Sequence, residues 1–143
     1  LTTTPSLARR IGLVVVFLFF LVGGVAHFVF ASAEIGIIPT YVPYPVQVNE
    51  LTGVCELLGA AGLLVRRFRR LAGYGLILLT IGVTLANVDM LQHAERFPAI
   101  PVWVLVIRLP LQVGLIALIY WSSGAVQRRA APADSGQDDQ AAE

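Results

Sequence analysis

Lysine is missing from this sequence, cysteine and methionine occur once each, and charged residues fill only 13% of its 143 positions. With Cys55 alone, no intrachain disulfide can form and a cysteine-ligated metal or cluster is not expected. Cys55 sits in an apolar run and is expected to serve packing. No metal-binding spacing, phosphate-cradling glycine loop or nucleophile motif is present, so the sequence carries no recognised catalytic chemistry and leaves open whether the protein is an enzyme. A net charge of +1 gives no reason to expect a nucleic-acid partner. What the sequence does have is apolar surface: 57% of its residues are hydrophobic, far above the soluble average. A chain of this length forms one domain, and its natural partner is the lipid bilayer.

Four apolar stretches approach the roughly 20 residues that cross a bilayer. They run from about Ile11 to Ala31, Val46 to Val65, Leu71 to Leu91 and Val102 to Trp121. The second is purely apolar only from Leu51 and reaches full length when its start is taken back to just after Pro45. Pro101 stands where a helix tolerates proline, at the first turn of the fourth. Backbone groups in hydrocarbon must be satisfied within their own segment, so these stretches predict an all-α, four-transmembrane-helix bundle. Two helical hairpins of similar length leave a weak pseudo-symmetry, without a convincing repeat.

The arginines give the orientation. Arg9 and Arg10 precede the first helix, Arg66, Arg67, Arg69 and Arg70 fill the second turn, and Arg128 and Arg129 follow the fourth helix, while the other two connections carry only Arg96. The positive-inside rule then predicts an N-in, C-in topology with residues 1–10 cytoplasmic. Arg9-Arg10, an apolar run and Ala31-Ser32-Ala33 imitate a cleavable signal peptide. The run is longer than the roughly 7 to 15 residues of a signal core, so the first helix is expected to be retained. The first outer loop, about Ser32 to Asn49, holds Pro39, Pro43 and Pro45 and cannot be a long helix. It is expected to be an interfacial loop with Tyr41 and Tyr44 at the membrane surface, the rival being a cap over the bundle. From 122 to 143 the composition turns to Ala, Gln, Gly and acids, including Asp134, Asp138, Asp139 and Glu143, and predicts a disordered acidic cytoplasmic tail.

Ionisable residues inside a span cost about 2.5 to 3.5 kcal/mol each at its centre, so each needs a partner or a purpose. Counted from the cytoplasmic end at about 1.5 Å per residue, Glu56 and Gln112 fall near ~14 Å, Arg108 near ~20 Å, Glu50 near ~22 Å, and His27 and Asn87 near ~24 Å, with Asp89 slightly higher. Helices of alternating direction thus bring all seven to one layer in the outer half. An arginine cannot shed its charge, so Arg108, which shares a helix face with Gln112, is expected to pair with Glu56, with Asp89 as the reserve. The competing explanation is a buried ion pair that only fixes helix packing. Small residues at Gly23, Gly24, Gly53, Gly59, Gly75, Gly82 and Ala86 are expected to let helices approach closely. His27 suits a proton relay, a quinone hydrogen bond or a metal ligand, with nearness to the headgroups as the ordinary reason. Haem between His27 and His93 is not expected, because both lie close to the interface.

At these same residues the chain resembles the DoxX-like family of small bacterial membrane proteins. The likeness runs from Arg10 to Trp121. It rests on Gly24 with His27-Phe28, the proline-bearing loop, the run from Thr52 through Gly53 and Glu56 to Gly59, Ala86-Asn87-Val88-Asp89-Met90, and Arg108-Leu109-Pro110-Leu111-Gln112. Leu85 stands where a proline is often found in that family, which removes the reason for a kink there. The resemblance implies a four-helix fold in the cytoplasmic membrane, redox partners such as those of thiosulfate:quinone oxidoreduction, and Glu56, Asn87, Arg108 and Gln112 as the matching polar positions.

Three functions suit this pattern. The first is a redox-associated subunit whose polar layer binds a quinone-like molecule or docks a catalytic partner. The second is a small-molecule permease or exporter, which with four helices would work as a homo-oligomer. The third is a non-catalytic assembly factor recruiting a partner through its tail or proline-rich loop.

Overall fold

The computed structural model describes residues 6–124. Among them the chain is all-helical: α1 (Leu7–Val29), α2 (Ala31–Gly36), α3 (Pro45–Leu64), α4 (Arg69–Gln92), a 3-10 turn at Ala94–Arg96, and α5 (Val102–Ser123). Three helices, Leu7–Val29, Arg69–Gln92 and Val102–Ser123, are long and apolar enough to cross a membrane. Their outward faces are apolar as well, with Val22, Leu78 and Val113 about as exposed as residues on a soluble surface. Such helices need hydrocarbon around them, so this is a membrane protein.

The observed helices lie close to the expected ones, with informative shifts. Ser6 accepts from the Arg9 amide and starts α1 one turn early. Pro45 opens α3 after Tyr44, whose positive φ of 56° turns the chain into the helix. The last helix runs two residues past Trp121, so Ser122 and Ser123, expected in a disordered tail, are helical and buried. Gly124 ends it in the left-handed conformation at φ 85° that glycine adopts without strain. The acidic tail beyond it lies outside the described residues.

The four long helices form a closed ring in which α1 and α4 each touch both α3 and α5, leaving α1 opposite α4 and α3 opposite α5. Each of the four interfaces is tightened by a glycine. A Cβ on Gly12 would press on Trp121, one on Gly24 on Leu57, one on Gly62 on Ala72, and one on Gly73 on Ser123. Close backbone approach of this kind is what holds helices together where lipid competes for every apolar contact. The buried apolar core, made of Val16, Phe20, Ala60, Leu63, Leu76 and Ile119, fills the end of the ring that carries the arginines. The opposite end is capped by α2 and the turns after it, and there the interior is polar.

Candidate functional site

Helices α1 and α3 stay close at the capped end, where Gly24 meets Leu57 and Gly53 meets His27 and Phe28. Helices α3 and α4 touch where Gly59 meets Leu76 and Gly62 meets Ala72, and beside that contact runs a half-open cavity of about 1400 Å³. Its polar lining includes His27 from α1, Asn49 and Glu56 from α3, Asn87 from α4, and Arg108 and Gln112 from α5. Five of the seven residues expected in one polar layer therefore do face one space. The proline-rich segment contributes Ile38, Pro39 and Val42 to the same cavity, as a cap would, while its Tyr41 and Tyr44 are exposed, as an interfacial loop requires.

The pairings inside differ from expectation. Glu56 does not pair with Arg108: its Oε1 lies 3.8 Å from His27 Nε2. The ring explains this, because α1 and α3 are neighbours whereas α3 and α5 face each other across the cavity. Gly23 makes the approach feasible, since a Cβ there would stand 2.6 Å from Glu56 Oε2. Asp89 is not a partner for Arg108 either, because its Oδ1 lies 3.3 Å from His93 Nδ1 and its Oδ2 3.9 Å from Arg96. Arg108 has no carboxylate within ion-pair distance among the described residues, and its Nη1 reaches only Met90 Sδ at 3.8 Å. Glu50 is exposed and outside the cavity, so it drops out of the site. Cys55 is exposed and lines the cavity wall instead of packing in the core.

Asn49 was not singled out by the sequence, yet it organises the dyad. Its Nδ2 donates to the His27 carbonyl at 2.7 Å, in the last turn of α1 where intrahelical donors run out. That bond orients the amide, so its Oδ1 must be what meets His27 Nδ1 at 2.7 Å, and Nδ1 must carry a proton. The nitrogen facing Glu56 is then Nε2. At 3.8 Å, Nε2 and the Glu56 carboxyl are within ion-pair range but beyond hydrogen-bond distance. The available signal was a lone amide in the first turns of an apolar helix; its partner depended on which helix lay alongside. Glu34, from α2, also lines the cavity and was likewise missed.

Two acceptors in this region are buried without any hydrogen-bond partner, Glu56 Oε2 and Gln112 Oε1. Buried polar atoms left this way cost about 1–3 kcal/mol each. Together with the half-buried Arg108, whose guanidinium has only the Met90 sulfur as a partner, they place donors and acceptors with spare capacity on opposite walls of the cavity.

A family model described as a domain of unknown function, DUF8561, matches residues 16–123, a stretch that contains every residue of the cavity described above. The chain belongs to that family. No curated protein and no solved structure matches it.

Proposed function

We propose that this DUF8561 member is a redox-associated, four-span protein of the bacterial cytoplasmic membrane, with both ends inside, that binds a quinone-like molecule in its polar cavity. The unmet hydrogen-bonding capacity of Glu56 Oε2, Gln112 Oε1 and Arg108 around one space carries this reading. A head group with carbonyl oxygens would accept from Arg108, and its hydroxyls, when reduced, would donate to Glu56 or Gln112. The pair of His27 and Glu56, two groups able to carry protons, stands at the place where such a head group would gain or lose them. The resemblance to DoxX-like proteins at Glu56, Asn87, Arg108 and Gln112 supports the redox association, including a partner protein at the membrane.

Helix α3 is the fourth span in this reading, though its composition is less apolar than that of the other three. It carries the site, with Asn49 and Glu56 both on its inward face. Clusters of arginine before α1 and between α3 and α4 support the orientation.

Binding of a decyl-benzoquinone to the purified full chain in micelles tests the reading. Binding is expected in the wild type and is expected to weaken on the order of tenfold in Arg108→Met, the scale of one charge-assisted hydrogen bond. A wild type that does not bind, or an Arg108→Met protein that folds and binds equally well, overturns it.

A further inference from the structure

Glycines in this chain fall into two groups. Those at 12, 23, 24, 53, 59, 62 and 73 lie against neighbouring atoms, whereas a Cβ at Gly75 or Gly82 would meet nothing within 4 Å, although both residues line the cavity. The expectation that Gly75 and Gly82 bring helices together is therefore not met. They are seven residues apart, two turns on one face of α4, and they alternate with the exposed Leu71, Leu78 and Leu85, which line the same cavity. The result is a trough along the outer face of α4 beside α3. From Leu71 to Leu85 it runs about 21 Å at the rise of an α-helix.

We propose that this trough holds the single apolar tail of the ligand whose head group sits among Glu56, Arg108 and Gln112, and that the ligand arrives sideways from the bilayer between α3 and α4. The inference rests on the head-group reading above and adds the class of ligand, a membrane-dissolved amphiphile with one long tail. Continuity is the first argument, because the lipid-facing leucines and the polar residues line one cavity. Size is the second: the half-open space of about 1400 Å³ is larger than the roughly 300–1,000 Å³ of ordinary small-molecule pockets, and its lining runs along α4 from Leu71 to Asn87. Glu56 supplies the third. Its residue is only 8% exposed, it lines the same cavity and its Oε2 has no partner, so that cavity contains a polar group that an apolar occupant alone would leave unsatisfied. A partner helix lying in the trough, or a phospholipid chain, would leave those polar atoms unmet.

The test uses two probes with the same dimethoxy-methyl-benzoquinone head, one without a tail and one with an n-decyl tail, binding to the full chain in micelles. The variants are Gly75→Leu and Gly82→Leu, which fill the trough at positions where the backbone has room and a helix former is favoured. In the wild type the tailed probe is expected to bind at least about tenfold more tightly, the worth of a few buried methylenes. In the variants that advantage disappears while the tail-less probe binds as before. Equal affinities for the two probes, or a tail advantage that survives both substitutions, overturns the trough and leaves the head-group site standing. If neither probe binds the wild type, both readings fall. A change of oligomeric state in Gly82→Leu with no change in tail preference would assign the trough to a contact between copies, and a stoichiometric phospholipid lost from the variants without effect on the tailed probe would assign it to ordinary lipid.

Discussion

Asn49 and His27 bond to each other in both directions: the amide nitrogen donates to the His27 carbonyl, and the amide oxygen accepts from Nδ1, each at 2.7 Å. The first bond caps an open carbonyl at the end of α1, and the second fixes which ring nitrogen faces Glu56. The end of α1 and the proton on Nδ1 are thus tied to one side chain.

Replacing Asn49 with Leu removes both bonds at once. Unfolding in micelles should show a loss of about 2 to 3 kcal/mol, the sum of two modest hydrogen bonds and the cost of an uncapped buried carbonyl. Nitrogen-15 shifts of the imidazole should report Nδ1 protonated in the wild type and a mixture of tautomers in Asn49→Leu. A wild-type ring protonated on Nε2 alone would refute the tautomer assignment.

The partners of Glu56 can be separated by double-mutant cycles. Coupling between His27 and Glu56 should be about 1 kcal/mol or more, whereas coupling between Arg108 and Glu56 should stay within the roughly 0.5 kcal/mol expected of independent sites. Arg108→Met should itself cost little in thermal stability, since no carboxylate is stranded by it. Breaking a buried ion pair would cost about 3–5 kcal/mol, so a loss of that size would restore the pairing of Arg108 with a carboxylate.

These residues show why the site was only partly legible beforehand. Counting 1.5 Å per residue gives height along the bundle axis, and height alone brought His27, Glu56, Asn87, Arg108 and Gln112 to one cavity. Pairing depends on the order of helices around the ring. With α1 beside α3 and α5 across from it, Glu56 meets His27 and leaves Arg108 on the far wall. Glu50 has the right height and the wrong face. Gly75 and Gly82 teach the same lesson, because smallness is written in the sequence while the presence of a neighbour is not. The helices themselves were legible to within a few residues, since long apolar runs and prolines at helix starts act locally, while the Ser6 cap that starts α1 a turn earlier was not singled out.

Glycine contacts predict opposite responses to the same substitution. A Cβ at Gly53 would stand 2.8 Å from the His27 Cβ and from a Phe28 ring carbon, so Gly53→Ala must push α1 and α3 apart. A stability loss of about 1–3 kcal/mol is expected from this overpacking, with disturbance of the His27 dyad beside it. Gly114 in α5 has nothing within 4 Å, and Gly114→Ala should be neutral or gain up to about 1 kcal/mol from helix propensity. Thermal unfolding of the two variants side by side decides the matter, and equal losses would remove close approach as the role of Gly53.

The turn between α3 and α4 offers a test away from the cavity. Arg69, in the first turn of α4, donates from Nε to the Leu63 carbonyl at 2.8 Å, closing an end of α3 that has no basic residue in its own last turn. A guanidinium serves here because its Nε–H is fixed in the plane of the side chain, whereas a lysine ammonium lies further out on a flexible stem. Arg69→Met should lower stability by about 1 kcal/mol, the net worth of one such bond, and Arg69→Lys should recover only part of it. Amide hydrogen exchange should quicken at the end of α3 and the start of α4 and stay unchanged around His27. Full recovery by lysine would mean that positive charge near the turn, and not the directed hydrogen bond, is what Arg69 supplies.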